Sequence, residues 1–429
     1  VNIVLLSGGS GKRLWPLSNE VRSKQFLKVF KTENNTYESM VQRNYRQVKG
    51  VYPDANILLA TGVAQKSLLK NQLGDNVEIC IEPARRDTFP AVALAVSYLV
   101  ENHHLAPEDV IIVCPIDAYV ESSYFELFSQ LENTLKTMPE FNAMLIGSVP
   151  TYPSEKYGYI VPVQQDGSIM QVKSFVEKPS EQRAADLIDD GALWNCGIVA
   201  FTVKFILDRV LELVGFSSYL MLYENYSDLE RTSFDYAVLE HEKRIGVIPY
   251  FGSWKDIGTW NTLTEAMSEP TIGNVICSQE CDNVSVINES SLPVLVMGLK
   301  DAVVSVGPDG ILVSSKYHSS FIKPYVEQIS HQAMFVERAW GEYTILQDSI
   351  NAKITKIKVF PGKKIGEWAS HEIRKVWTIV EGSGFVSIDG GKYPVYPGAS
   401  FCINEKSFHE LKADTMVELI EVSCFDNPK

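Results

Sequence analysis

The run LLSGGSGKRLWPLSNEVRSKQF, residues 5–26, has the residue types that hold phosphate. An apolar strand runs into a turn containing Gly8, Gly9 and Gly11, and two bases follow, Arg13 and Lys24. Glycines let backbone N–H groups approach phosphate oxygens and curl into an anion nest. Arg13 offers a bidentate fork and Lys24 a compact point charge. Two common phosphate motifs do not match. The P-loop needs Ser or Thr after Gly-Lys, and here Gly11-Lys12 is followed by Arg13. The G-x-G-x-x-G spacing of dinucleotide folds is also absent. An ordinary strand-to-helix turn accounts for one or two glycines, not for three with both bases. Two carboxylates stand out next. Asp117 ends the apolar run VIIVCPID, at the carboxyl edge where open α/β sheets bind ligands, and Asp256 lies in WKDIG. By residue type alone an Asp at a strand end is more often a turn or cap residue. Lys178, in FVEKP, sits between an apolar strand and a proline, where a side chain can be aimed into a cleft; a surface pair with Glu177 is the alternative.

These residues need a scaffold, and the chain has the composition for one. Its 429 residues, 45% hydrophobic and 21% charged, fit two or three globular domains. The net charge of −14 argues against a nucleic-acid binder but not against small anionic substrates, which a few local bases can hold. Seven scattered cysteines, most in apolar runs such as IIVCPI, read as buried small hydrophobes in a reducing cytoplasm. No apolar run is long enough to span a membrane, and no membrane partner or secretory leader is expected. Up to about residue 265, continuous apolar runs (2–6, 55–61, 77–83, 110–117, 143–149) alternate with helical stretches such as 91–104. That rhythm predicts a largely parallel sheet covered on both faces. Residues 159–179 and 197–203 read as β-hairpin material inserted into it, with a turn at Asp166-Gly167. From 270 to 326 short β runs follow closely, as in a small β-solenoid or meander. Residues 325–340 read as a linker helix and entry. Beyond them, strands punctuated by Gly and Pro predict a small jelly-roll barrel.

The segment GGSGKRLWPLS…KQF resembles the signature of nucleotidyltransferases that join a nucleoside triphosphate to a sugar 1-phosphate, most closely the bacterial mannose-1-phosphate guanylyltransferases in their long form. The resemblance continues in order through EPARRDTFPA (82–91), PID (115–117), KYGYI (156–160), FVEKP (175–179), LWNCGI (193–198), SFDYAVLE (233–240) and WKDIGTW (254–260). It implies an α/β fold: a Rossmann-like nucleotidyltransferase domain with a mixed sheet (1–268), a β-solenoid-like spacer and linker (269–330), and a C-terminal cupin β-barrel (331–429). The implied reaction is attack of a mannose 1-phosphate oxygen on the α-phosphorus of GTP, giving GDP-mannose and pyrophosphate. By resemblance, Asp117 and Asp256 hold Mg²⁺, a hard cation that takes oxygen ligands. Gly8, Gly9 and Gly11 serve the nucleotide, with Gly8 and Gly9 at the purine edge. Arg13 and Lys24 take the β- and γ-phosphates, and Glu82 and Asp87 border the nucleotide. Lys178 takes the sugar phosphate; Glu177 and Asn195 contact the sugar, and Gly158 lets the backbone approach it. The cupin and spacer point to a homodimer.

Several residues depart from the family pattern. Arg85, Asp87 and Phe89 stand where Gly, Asn and Ala are usual, and an Asn-to-Asp exchange replaces a donor with an acceptor. The usual DHxI reads Asp117-Ala118-Tyr119-Val120, and Lys12 and Ser23 replace Thr and Pro. In the cupin, PGKKIGEWASHEIRKVW (361–377) aligns Trp368, Ser370 and Lys375 with the Gln, His and Glu that ligate metal in bifunctional relatives. Only His409 is retained. A slip of one residue would offer His371 and Glu372 instead. The expectation is a barrel without isomerase activity.

Overall fold

The computed structural model describes all residues except 10, 164–167, 330–332, 369–372 and 426–429. The Asp166-Gly167 turn and His371 and Glu372 therefore lie outside the described residues. The chain divides into two compact units. The first comprises 1–9, 24–258 and 265–268; the second comprises 10–23, 259–264 and 269–429.

In the first unit the strands are β1 (Asn2–Leu6), a small hairpin β2 (Phe30–Lys31) and β3 (Tyr37–Glu38), β4 (Asn56–Gly62), β5 (Glu78–Glu82), β6 (Val110–Pro115), β7 (Ala118–Val120), β8 (Ala143–Ser148), β9 (Gly158–Pro162), β10 (Met170–Glu177), β11 (Leu193–Thr202), β12 (Ile245–Tyr250) and β13 (Trp254–Asp256). Nine of them form one sheet in the order β5-β4-β1-β6-β11-β8-β12-β10-β9. Strands β5, β4, β1 and β6 run parallel, and β11 enters antiparallel between β6 and β8. The sheet is mixed, as expected. Its parallel part is apolar on both faces, and Ile3, Val4, Leu5, Leu58, Ile111 and Ile112 are fully buried. Helices cover it: α1 (Met40–Val51), α2 (Lys66–Leu73), α3 (Thr88–His103), α4 (Ser122–Thr137), α5 (Glu181–Asp189), α6 (Val203–Val214), α7 (Tyr219–Glu224) and α8 (Phe234–Ala237). Helix α1 begins in a capping box: Ser39 accepts from Gln42 N, and Gln42 returns a bond to Ser39 N.

In the second unit, β14 (Thr271–Ile272), β16 (Ser285–Asn288) and β18 (Ala302–Gly307) pair in parallel, with β19 (Gly310–Ser315) closing the edge antiparallel. A second parallel ladder joins β15 (Val275–Cys277) to β17 (Val294–Val296). The expected linker helix at 325–340 is a single turn, α9 (Lys323–Val326), and 335–338 is already strand β20 (Phe335–Arg338). The alternation in FVER suits a strand more than a helix. Next come β21 (Gly341–Asp348), β22 (Ala352–Val359), β23 (Lys364–Trp368), β24 (Ile373–Glu381), β25 (Gly384–Ile388), β26 (Gly391–Val395), β27 (Ser400–Ile403), β28 (Phe408–Ala413) and β29 (Val417–Phe425). They make a six-stranded sheet, β20-β21-β22-β29-β24-β27, and a four-stranded one, β23-β28-β25-β26. Trp377, Val386, Leu411 and Leu419 are among the side chains of their shared core. Cys80, Cys114 and Cys196 are buried as expected, whereas Cys277, Cys402 and Cys424 are exposed and Cys281 is half-buried. Membership of an apolar run does not decide burial in a strand, because successive side chains alternate faces.

Residues 10–23 join the spacer through specific contacts. Arg22 makes a bidentate pair with Glu289 at 2.8 and 2.7 Å, and Asn19 Nδ2 donates to Asp309 at 2.9 Å. Trp260 Nε1 donates to the Trp15 carbonyl at 3.1 Å. Trp15 packs where a side chain on Gly310 would be, 2.4 Å from the position of an added Cβ. Gly310→Ala should therefore overpack this contact, at a cost of about 1–3 kcal/mol. The expected result is faster tryptic cleavage after Lys12 and Arg13 than in the wild type. Unchanged cleavage rates would show that the spacer does not hold this segment.

Candidate active site

Two carboxylates far apart in sequence meet on one lysine. Lys24 Nζ lies 2.8 Å from Asp117 Oδ2 and 3.1 Å from Asp256 Oδ1. A short antiparallel ladder brings them together: Trp254, Lys255 and Asp256 of β13 pair with Val120, Tyr119 and Ala118 of β7. Asp117 sits in the turn after β6, one residue before that ladder begins. The turn is clamped from helix α1. Asn44, fully buried, donates from Nδ2 to the carbonyls of Ile116 at 2.8 Å and Ala118 at 3.0 Å, bracketing Asp117. Gln47 and Arg43 of the same helix donate to the Val120 carbonyl. Gly258 leaves room for the Asp256 carboxylate, which would lie 2.9 Å from an added Cβ. Burial works against the charge on Lys24, but attraction to Asp117 and Asp256 outweighs it and raises its pKa. Burial likewise opposes the charge on Asp117, and the Lys24 ammonium outweighs that and holds the carboxyl below its usual range.

Gly8 and Gly9 are exposed on the turn after β1, and an added Cβ at either would meet nothing within 4 Å. Beneath them lies a buried amide layer. Gln25 Nε2 is 3.4 Å from both the Gly8 carbonyl and Ser7 Oγ, and Thr61 Oγ1 donates to the Ser7 carbonyl at 2.9 Å. Gly11 and Arg13 belong to the second unit, on the 3₁₀ turn Gly11–Leu14, and Arg13 is exposed.

A second group is assembled by strand register. Glu177 of β10 pairs with Gly158 of β9, and Trp194 of β11 pairs with the neighbouring Tyr159. Gly158, Glu177 and Asn195 thus form one row. A Cβ on Gly158 would lie 2.5 Å from Glu177 Oε2 and 3.6 Å from Asn195 Cβ. Lys178 follows with φ +45, a left-handed conformation that is uncommon for a non-glycine and recurs at functional sites. Its ammonium pairs with Glu177, and both side chains are exposed. Asn195 Nδ2 donates to Asp235 Oδ1 at 2.8 Å, and its Oδ1 accepts from Gly197 N at 3.0 Å. Burial raises the Asp235 pKa, opposed by the Asn195 bond. Asp235 and Asn44 are the members that motif reading passes over, although Asp235 stands inside the quoted run SFDYAVLE.

An aromatic knot connects the two groups. Trp254 lies two residues before Asp256, Tyr157 one before Gly158 and Trp194 one before Asn195. Their rings meet edge to face at 5.3 Å (Tyr157–Trp254) and 5.0 Å (Tyr157–Trp194). Glu82 and Asp87 are engaged elsewhere. Glu82 accepts from Tyr226 Oη at 3.0 Å, and burial raises its pKa. Asp87 is the N-cap of α3, accepting from Thr88 N at 2.8 Å.

This is the geometry of a phosphate-handling α/β enzyme, with a glycine turn at a strand end, a lysine and two convergent carboxylates beside an open polar row. A family described as Nucleotidyl transferase matches residues 2–271, and one described as Mannose-6-phosphate isomerase C-terminal matches 326–426. The chain belongs to the nucleotidyl transferase family. Homologues named mannose-1-phosphate guanylyltransferase cover nearly all of it. One from Escherichia coli O157:H7, mannose-1-phosphate guanylyltransferase 2, is 27% identical over 99% of this chain and 95% of its own. The alginate biosynthesis protein AlgA of Pseudomonas putida is 28% identical over 98% of this chain and 92% of its own. The crystal structure of a mannose-1-phosphate geranyltransferase from Thermus thermophilus superposes with a TM-score of 0.66 at 26% identity, covering 77% of this chain and 99% of that one. Nucleotidyltransferases of this kind typically use a divalent metal.

The clamp on Asp117 can be tested. Asn44→Ala removes both bonds that bracket the turn, leaving two carbonyls short of a donor at a cost of about 1–3 kcal/mol. Turnover should fall by roughly 10- to 100-fold, because small misplacements of a catalytic group carry costs of that order. Wild-type turnover in a folded Asn44→Ala protein would remove Asn44 from the positioning machinery.

Proposed function

We propose that the protein is a mannose-1-phosphate guanylyltransferase that converts GTP and mannose 1-phosphate to GDP-mannose and pyrophosphate. The observation that carries this reading is the convergence of Asp117 and Asp256 on Lys24, on a fold shared with relatives of that name. The two carboxylates offer hard oxygen donors on one focus and so fit Mg²⁺, which binds through one or two carboxylates with water and substrate phosphates. When bound, that ion supplies charge neutralisation at the reacting phosphates. The protein's own groups do the rest. A sugar-phosphate oxygen forms a bond to the α-phosphorus of GTP while the bond to the pyrophosphate oxygen breaks. Such transfer depends on positioning and charge more than on covalent help from the protein.

Lys24 is the group that exchanges carboxylate for phosphate oxygens. Arg13 adds a bidentate contact to the β- and γ-phosphates, and Gly8, Gly9 and Gly11 offer their backbone to the nucleotide. Lys178 takes the sugar phosphate, Glu177 and Asn195 the sugar hydroxyls, and Asp235 holds Asn195 in orientation. We assign Glu82 and Asp87 to the nucleotide border. The Asp87 side chain caps α3, which Asp and Asn do equally well, so the Asn-to-Asp departure there is compatible with the family's base preference.

In this reading residues 1–268 catalyse, the paired ladders of 269–330 are turns of a short β-solenoid, and the barrel of 331–429 has no isomerase activity. The free cysteines suit a cytoplasmic enzyme. Exposed Ile276, Leu295 and Met297 on the spacer favour a homodimer, testable by sedimentation.

A grid of nucleoside triphosphates against sugar 1-phosphates, read as pyrophosphate release with Mg²⁺, tests the activity. GTP with mannose 1-phosphate should give the dominant rate, and chelation by EDTA should abolish it. A peak at another pair would keep the transfer but overturn the assigned substrates. Asp117→Ala and Asp256→Ala should each lower turnover by about three orders of magnitude, within the range known for lost electrostatic groups. Near-wild-type rates in both would refute the metal assignment.

A further inference from the structure

Helices α3, α6 and α8 of the first unit enclose a cavity of about 440 Å³. None of the residues assigned to the substrates lines it. Its apolar walls are Phe89 and Pro90 from the first turn of α3, Leu213 and Val214 from the end of α6, and Phe216 and Leu229 from the segment that follows. Phe89 is one of this chain's departures from the family pattern, and it is buried. Leu213 and Tyr236 line the cavity while staying 51% and 61% exposed, so it opens to solvent. The Tyr236 ring meets His241, another lining residue, edge to face at 6.1 Å.

The charge of the lining has one sign. Asp228 and Glu230 contribute carboxylates, and no lysine or arginine lines the cavity. Both carboxylates are exposed, and neither side chain has a hydrogen bond or ion pair among the described residues. Apolar walls beside two carboxylates suit an apolar body that carries a positive group, and they disfavour a nucleotide or a sugar phosphate. The face of Tyr236 adds a surface on which a cation can rest. The volume lies within the usual range for small-molecule sites.

The same walls support the sugar row. Asp235, next to Tyr236 on α8, accepts from Asn195 Nδ2 at 2.8 Å. Phe234 N donates to Thr88 Oγ1 at 2.8 Å, and Phe89 N donates to the Thr232 carbonyl at 3.2 Å. Those two bonds tie α8 to the start of α3. Phe234 also stacks at 5.6 Å on Phe201 of β11, the strand that carries Asn195. A ligand held among α3, α6 and α8 therefore favours the position of α8 in which Asp235 orients Asn195.

We propose that this cavity is an effector site for a small organic cation, an apolar ring or chain bearing one ammonium group, whose binding strengthens the hold of the first unit on sugar phosphate. The coupling rests on the assignment of Asn195 to the sugar. It is reciprocal, so each ligand tightens the other by the same factor.

Tryptamine, an indole with one ammonium group, serves as the probe. Indole-3-propionate is its anionic counterpart, and methylammonium carries the charge without the ring. In a titration of the full chain followed by ligand NMR, tryptamine should bind saturably, with both controls tenfold or more weaker. Its affinity should fall tenfold or more in the double variant Asp228→Asn/Glu230→Gln and in Leu213→Trp, with an unchanged thermal melt as the check on folding. Calorimetry reads the coupling without turnover. Saturating tryptamine should tighten mannose 1-phosphate threefold or more, leave GTP affinity unchanged, and have no such effect in Asp235→Ala. Four results would overturn the proposal: no saturable tryptamine binding, indole-3-propionate binding as tightly, affinity unchanged in the double variant, or mannose 1-phosphate affinity unmoved by bound tryptamine. Failure of mannose 1-phosphate to bind with or without tryptamine would instead overturn the sugar assignment, and the tryptamine titration would still decide whether the cavity is a site.

Discussion

The site of the first unit depends on one interaction, the Lys24 ammonium bonded to both Asp117 and Asp256. Two carboxylates within reach of one point repel each other, and partial burial sharpens that repulsion by lowering the local dielectric. The protein keeps them together with the Lys24 ammonium, which bonds to both. Any cation that approaches the two carboxylates must compete with that ammonium. The demand on the scaffold is positional. The β7–β13 ladder, the Asn44 clamp and the space at Gly258 each fix one carboxylate against its neighbour, and none of them carries charge. The aromatic knot of Tyr157, Trp194 and Trp254 then ties this acidic focus to the row that carries Gly158, Glu177 and Asn195. Residues one or two positions from the functional groups are thus packed together, which fixes the two groups relative to each other.

What the sequence makes legible follows from what is local. Strands β1, β4, β6 and β8 are largely apolar runs because the interior of the sheet is covered on both faces, and such runs are visible residue by residue. Asp117, Asp256, Lys24 and Lys178 stand in motifs whose spacing survives reading along the chain. Asn44 does not, because its importance lies in two carbonyls more than 70 positions away; on its own helix it is an ordinary polar residue. Asp235 is similarly hidden, since only the fold sets it against Asn195. The cysteines and the segment 325–340 fail for a different reason. Composition registers an apolar run, but only the pairing partner decides which face of a strand is covered, and a four-residue strand offers too few repeats to separate periods of 2 and 3.6.

The spacer has more to do than separate two domains. Residues 10–23 carry half of the glycine turn and Arg13, yet they pack with the spacer through Arg22–Glu289, Asn19–Asp309 and Trp15 over Gly310. This gives a physical sense to the LWPLS portion of the signature, which has no obvious chemistry. Trp15, Pro16 and Leu17 are packing residues: Gly307 and Gly310 are bare where they come down, and a Cβ on Gly307 would lie 3.2 Å from the Pro16 carbonyl. A motif can therefore combine groups that act on substrate with groups that anchor the loop, and position in the motif alone does not separate them.

The barrel shows the same separation between fold and chemistry. Its apolar row of Ile357, Leu419 and Ile379 answers to the core, and changes there would be felt as lost packing. The two rows above it in register, Thr355, Glu421 and Trp377 and then Lys353, Ser423 and Lys375, are polar although they face inward, and an inward lysine is costly unless its charge is matched. Glu421 is one counter-charge to Lys375, in a bond network that also fixes Trp377 and Ser423. Fold and chemistry thus separate by row: the apolar row answers to packing alone, and the polar rows above it answer to the bonds that Glu421 collects.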